Sequence, residues 1–449
     1  MSNDILMALP GSDNILKKQF ANGVTVLVHE NPWSSSAAVC GTLSAGSCLE
    51  TPDKTGLASF VSASLIAGTQ SRNFGQINEY LENIGAVLSF GSSTHAIKFT
   101  GKCLSEDLPN FLKLLKEVLD EPVFPDHYLG VLKQLVMGGY GLDSDELIPI
   151  SYKSFKEILW GEDHPYGRVR FKSKEITRNI NRDDLVKFHS RFFGPKNLII
   201  ALSGDYQGQE IMDCCESVFG NWQKAQEYVD EDELFPKVTG EDCCFRLHID
   251  SAYQREVFLT MGTFGPGMND ADILPARLGT NILGEFGDSG RIGQIVRQEN
   301  GLAYTAHAFL DTWEKGGCWS INAGTDPANL IKVGELIRDE LRQFTKKPVS
   351  FQELEDAKSW YVSSLPMDYV NNSGTASMIH RLAYYQKDLD YFRRLPDRVN
   401  TVTPNSILET AQKWIDPEKL VIITSGPRDE SQKGGLWWPS YYFQDGEEV

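Results

Sequence analysis

The strongest constraint on how this chain can fold is that it is written twice. The strand-like run Ala37 to Gly46 is echoed by Phe258 to Gly267, which sets Gly41-Thr42 against Gly262-Thr263 at an offset of 221. Toward the end of each half a helix, a proline and an apolar strand follow in the same order. They run from Asp183 to Gly204 and from Asn405 to Gly426, at an offset of 222. A register held across almost a whole half reads as two copies of one fold.

Length agrees, since 449 residues exceed one ordinary core and suggest two domains of about 200 residues each. The expected division is a first domain over 1–222, a linker over 223–242, a second domain over 243–430 and a tail over 431–449. The linker is charged, poor in periodic apolar residues and carries the acidic run Asp230 to Glu233. The tail contains Leu436 to Phe443, apolar enough to dock.

Within each half the pattern is α+β. Val24 to His29 alternates after an Asn22-Gly23 turn, as a hairpin strand would. Short strands follow at Ala86 to Phe90 and Ala96 to Thr100. Leu108 to Leu119, Pro125 to Tyr140 and Ile150 to Trp160 have helical periodicity. The second half repeats this with strands near Ala303 to Leu310 and Cys318 to Asn322, and helices over Pro327 to Phe344 and Phe351 to Leu365.

The segment Gly56 to Thr69 reads Gly-Leu-Ala-Ser-Phe-Val-Ser-Ala-Ser-Leu-Ile-Ala-Gly-Thr. It resembles the inverted zinc motif of the insulinase/pitrilysin family of metallopeptidases, whose frame is Gly-Leu-Ala-His-Phe-x-Glu-His-x-Leu-x-x-Gly-Thr. Two imidazoles four residues apart share a helix face and grip one zinc ion, while a neighbouring Glu takes a proton from the bound water. Here Ser59 and Ala63 stand at the ligand positions and Ser62 at the general-base position. A hydroxyl that stays protonated at pH 7 is a poor zinc ligand, and a methyl group offers no lone pair. The unremarkable reading is a small-residue face that lets a helix pack closely.

Other stretches resemble the same family in the same order. Leu159 to Arg168, with His164-Pro-Tyr-Gly167, is similar to a family turn. Counting back from it, Gly138 and Gly139 occupy the place of the Glu pair that supplies the third ligand, and Val131 to Leu142 holds no carboxylate. Gly290 to Tyr304 resembles the family's Ser-Arg-Leu-x-x-x-x-Arg-x-x-x-Gly-Leu-Ala-Tyr, with Arg291, Arg297, Gly301, Leu302, Ala303 and Tyr304 in place. The resemblance implies that Arg297 and Tyr304 hold the substrate carbonyl and the oxyanion formed on it, a task that suits guanidinium and phenol donors. The structural alternative is an Arg that caps a helix end and a Tyr packed in a strand.

Composition closes other routes. A net charge of −18 repels a phosphate backbone, so no nucleic-acid partner is expected. No apolar run reaches the roughly 18 residues of a membrane span, and the first residues lack the basic and apolar regions of a secretory signal. A cytoplasmic protein without a membrane partner is the expectation. Eight cysteines with adjacent pairs Cys214-Cys215 and Cys243-Cys244 form neither a disulfide framework nor a zinc spacing, and are expected half-buried in a helix and a strand. No two of the eight histidines stand at i, i+4; His29, His95 and His189 are expected on ordinary element faces. Glycines 262, 265, 267, 284, 287 and 290 match no phosphate or dinucleotide fingerprint.

The resemblance implies two similar sheet-and-helix domains in a half-clamshell. It also implies a chain that binds no metal itself and serves as the non-catalytic, peptide-binding member of a heterodimer. A zinc-bearing homologous subunit would supply the zinc. The alternatives are a structural or regulatory core-type subunit and a free-standing peptide-binding scaffold.

Overall fold

The computed structural model describes residues 9–138, 150–168, 174–224, 255–285, 290–427 and 441–444, together with 227, 229, 231–236, 238, 244–250 and 447–448. The chain packs as two compact units built from interleaved segments. The first comprises Met1–Leu147, Arg170–Leu234 and Ser364–Leu395; the second comprises Ile148–Val169, Phe235–Ser363 and Pro396–Val449.

The first unit's strands are β1 (Ile15–Gln19), β2 (Thr25–Glu30), β3 (Ser36–Leu43), β4 (Val87–Ser92), β5 (Ile97–Leu104) and β6 (Ile199–Gly204). Those of the second are β7 (Phe245–Asp250), β8 (Val257–Gly265), β9 (Ala303–Trp313), β10 (Gly316–Thr325), β11 (Val421–Gly426), β12 (Tyr441–Gln444) and β13 (Glu447–Glu448). Helices of eight or more residues in the first half of the chain are α1 (Leu57–Ser64), α2 (Phe74–Asn83), α3 (Leu108–Asp120), α4 (Asp126–Met137), α5 (Ile150–Trp160), α6 (Arg182–Phe192) and α7 (Gly208–Phe219). The second half adds α8 (Ile273–Thr280), α9 (Leu330–Phe344), α10 (Phe351–Ser364), α11 (Asn372–Tyr384) and α12 (Pro404–Trp414).

The sheet orders are β1-β2-β6-β3-β5-β4 and β13-β12-β7-β11-β8-β10-β9. Stripped of their first strands, both run in one order, with β2 parallel to β6 and β7 parallel to β11. The two sheet-and-helix domains expected from the duplication are therefore present. One detail differs. Thr42 pairs with Ile199 and Gly262 with Val421, and Ile199 and Val421 are equivalent at the offset of 222. The counterpart of Thr42 is Gly262, one residue away from the Gly-Thr match, and such a slip exchanges the two faces of a strand.

Local chemistry explains the elements. Gly23, at φ 99°, closes the β1–β2 hairpin, whose register runs from Ile15 opposite His29 to Gln19 opposite Thr25. Capping boxes start α2 at Asn73 and Gln76, α6 at Asn181 and Asp184, and α12 at Thr403 and Ser406. Period-two alternation divides the first sheet. Val26, Val28, Val39, Leu43, Phe99, Ile200 and Leu202 enter a core with residues of α1, α3, α6 and α7.

The opposite face of that sheet is more polar, and the helix covering it comes from the other half of the sequence. α11 lies on β3 and β6. His380 bonds Thr42 at 2.9 Å, and Asn372 reaches Ser36, Ser34, Asn31 and Ser203. The second unit does the reverse, taking α5 onto β8 and β11. There Thr260 bonds Ser151 at 3.0 Å, and a Cβ on Gly262 would fall 2.6 Å from the Phe155 ring. α5 and α11 begin 222 residues apart, so the duplicated halves have exchanged equivalent helices.

The seven described cysteines are free. Cys214 and Cys215 lie in α7 as expected, whereas Cys244 is exposed just ahead of β7 rather than half-buried in it, and Cys243 lies outside the described residues. His29 bonds Ser203, His95 is buried, and His189 bonds the Leu119 carbonyl. Among the described residues no helix is long and apolar enough to cross a membrane.

Candidate functional site

The segment that resembles a zinc helix is a helix. α1 opens at Gly56, whose φ of 97° is left-handed, and no side chain at that position caps it. The cap comes from Glu50, which is 5% exposed. Its Oε2 accepts from the Gly56 N–H at 2.9 Å and its Oε1 from the Ala58 N–H at 2.6 Å. A carboxylate there meets both the orphan donors and the positive end of the helix dipole.

The positions that would hold metal are already engaged. Ser59 is 1% exposed and its hydroxyl lies 2.7 Å from that of Ser92, the last residue of edge strand β4. Ser62, also 1% exposed, donates to the Ser59 carbonyl at 3.0 Å. Ala63 packs half-buried against the core. α1 does lie beside α4, the helix expected to carry the third ligand. Gly138 ends α4, exposed, with its N–H on the carbonyls of Gln134 and Leu135; Gly139 lies outside the described residues. Among the described residues no three His, Cys, Asp or Glu side chains gather where they could hold a metal ion. This donor set does not fit zinc.

In the second unit, Gly290 to Tyr304 forms a helical turn, Arg291–Gly293, running into a π-helical turn, Gln294–Glu299, and then β9. Gly301, at φ 63°, makes the reversal, donating to the Arg297 carbonyl at 2.9 Å while Leu302 donates to that of Val296 at 3.0 Å. Along β10, Thr325 pairs with Ala303 and Gly324 with Thr305, so Tyr304 is the extra residue of a β-bulge. Bulges re-aim side chains, and Tyr304 is 74% exposed at the edge of the sheet. The Arg297 guanidinium lies 5.0 Å from the Tyr304 ring centroid, a contact worth roughly 0.5–1 kcal/mol at an exposed site. The two side chains that the sequence pairs are therefore neighbours, with a phenol hydroxyl and guanidinium donors on one patch.

Arg291 works behind them. It bonds Glu353 through two nitrogens at 2.6 and 3.0 Å and Glu340 at 3.0 Å, anchoring the turn to α10 and α9. Burial alone would raise the Glu353 carboxyl; the bonds from Arg291 and Ser350 outweigh it and hold the group at about 2. The His-Pro-Tyr-Gly turn is structural. His164 is buried, accepts from the Tyr166 N–H at 3.1 Å and stacks on Trp160 at 4.6 Å, while Tyr166 stacks on Trp313 at 4.5 Å. Of the glycines between 262 and 290, Gly287 lies outside the described residues, and Gly262 and Gly290 serve close packing. Glu50 and Ser92 escape sequence reading because each acts through a partner distant in the chain or on the backbone.

Comparison with known proteins gives a consistent result. The family profile described as Insulinase (Peptidase family M16) matches residues 25–136, and that described as Peptidase M16 inactive domain matches 179–360. The chain is 23% identical to the uncharacterized zinc protease YmxG of Bacillus subtilis over 79% of this chain and 85% of the relative. It is 22% identical to the mitochondrial-processing peptidase subunit beta of Neurospora crassa over 94% and 90%. Among solved structures, a peptidase M16 inactive domain from Pseudomonas fluorescens superposes with a TM-score of 0.84 at 22% identity, covering 93% of this chain and 98% of that one. A protease from Helicobacter pylori superposes at 0.81 with 18% identity, covering 93% and 100%.

Proposed function

The chain belongs to the insulinase family of peptidases, M16, and on that premise we propose that it is the non-catalytic, peptide-binding subunit of a heterodimeric zinc endopeptidase. A homologous zinc-bearing subunit supplies the metal and its base. This chain supplies Arg297 and Tyr304 as donors for the oxyanion and part of the wall that holds an extended peptide. The carrying observation is a contrast: the zinc positions are closed by hydroxyl bonds and a methyl group, while Arg297 and Tyr304 stand together with the tyrosine bulged outward. The Neurospora crassa relative is by name one subunit of a peptidase, which supports pairing, and the charge of −18 leaves nucleic acid out.

Co-purification from the native host with mass spectrometry identifies the companion, and peptide hydrolysis by the pair tests the roles. The chain alone should cut no peptide. In the pair, Tyr304→Phe removes one donor and little volume and should lower kcat on the order of 10² to 10³ with dimer mass and metal content unchanged. Arg297→Ala should cost at least as much. Activity of both variants within about twofold of the parent would hand the lead to a structural or regulatory core-type subunit, or to a peptide-binding scaffold.

A further inference from the structure

The two sheets share an order but not the way their first edge is closed. In the first unit β1 covers β2 antiparallel, over five ladder positions, joined to it by residues 20–24. α7 packs over β1, with Lys18 on Glu216 at 2.6 Å. In the second unit the same seat beside β7 is taken by β12, from the far end of the sequence. It runs parallel, pairing Tyr441 with Leu247, Tyr442 with His248, Phe443 with Ile249 and Gln444 with Asp250. β13 then folds back on β12 over two positions.

Three features make this closure weaker than its counterpart. Parallel pairing is slightly less stable per residue than antiparallel. Four positions with a two-position hairpin lie at the margin of what strands hold by themselves. Among the described residues no helix packs substantially on β12, whereas α7 packs on β1. In sequence β12 follows β11 after residues 427–440. Being part of the same chain raises the effective concentration of β12 at the β7 edge, and the pairing draws on it. The run Tyr441-Tyr442-Phe443 has the residue types that strands favour, and Asp445-Gly446, between the two strands in sequence, is a dipeptide favoured between hairpin strands.

We propose that the outer edge of β7 is a strand-accepting surface whose occupant is the chain's own β12, backed by β13 and held in cis as a detachable strap. When the strap lifts, β7 presents an unpaired edge that takes up an extended peptide in parallel register, main chain to main chain. This surface lies in the second unit and does not depend on the role of Arg297 and Tyr304.

The test compares the full chain, a chain ending at Ser440, and a synthetic peptide of residues 441–449. Amide hydrogen exchange across Phe245–Asp250 should quicken roughly tenfold or more in the shortened chain at the alternate amides that face β12. The peptide should bind the shortened chain saturably at one per chain, restore that protection, and leave the full chain untouched at the same concentration. Equal protection with and without the segment, or no peptide binding to the shortened chain, overturns the proposal. Protection in the full chain that grows with protein concentration would place a second copy's segment on the edge and overturn the cis assignment. If the shortened chain fails to fold, Tyr442→Pro and Phe443→Pro in the full chain replace it. Successive residues of a strand bond opposite neighbours, so one of the two prolines removes a bond to β7. Quickened exchange in neither variant would also sink the idea.

Discussion

Glu50 carries a burden that its place in the sequence conceals. Its two oxygens take the first N–H groups of α1 from inside the protein, where no water replaces them. Glu50→Gln keeps the volume but turns one acceptor into a donor aimed at an N–H. The expected loss is about 2 kcal/mol of stability, read from urea unfolding; an unchanged midpoint would mean that the helix start is held otherwise. Ser59→His with Ala63→His restores two imidazoles on one helix face, yet Gly138 offers no third donor and position 59 is sealed. The double variant should hold well under one zinc per chain after dialysis. Stoichiometric zinc would reveal a third donor elsewhere in the chain and overturn this expectation.

Elements show why small and polar residues sit where they do. α5 approaches β8 so closely that Gly262→Ala would set a methyl carbon 2.3 Å from the Trp319 carbonyl oxygen and 2.6 Å from Phe155. The backbone cannot yield cheaply. A loss of about 1–3 kcal/mol is expected, read as a lower midpoint in thermal or urea unfolding, and a neutral outcome would show that α5 has room to move. α11 answers to pH instead. Burial, with the charges of Lys98 and Arg381, lowers His380 to about 4, and burial with Lys224 does the same to His189. An unfolded imidazole titrates near 6.5, so the unfolded chain binds more protons between those values. The stability that comes from keeping these rings neutral is complete above about pH 6.5 and is lost as pH falls toward 4. Urea midpoints should therefore drop between pH 7.5 and pH 5, and His380→Gln should flatten that slope. An equal slope in the variant would mean that the ring is charged in the folded state.

At the scale of the molecule, the sequence made some things legible and withheld others for physical reasons. The duplication was readable because β6 and β11 are apolar runs behind similar helices. The register of β3 against β8 was not, because one Gly-Thr match outweighs a face that only the ladder reveals. Periodicity marks Ile150–Trp160 as a helix and says nothing of whose sheet it covers. The Arg297 and Tyr304 motif was visible, but the bulge that turns Tyr304 outward depends on the β10 register. Of the aromatic tail expected to dock, residues 436–440 lie outside the described residues, and the ladder of β12 on β7 shows where the rest pairs.

The exchanged helices also govern what happens if the polypeptide is divided. A cut between Leu234 and Phe235 gives a leading piece that holds α5 but lacks α11, and a trailing piece with the opposite defect. Each piece would bare the sheet face that carries Thr42 or Thr260. Produced separately, the pieces should be insoluble or molten; produced together, they should co-purify one to one and refold. Recovery of either piece as a monomeric, cooperatively unfolding protein would refute this. The repeat therefore behaves genetically as a single indivisible cassette. A gene broken at its middle survives only if both fragments stay in one cell, and a lone half is no starting point for a new protein.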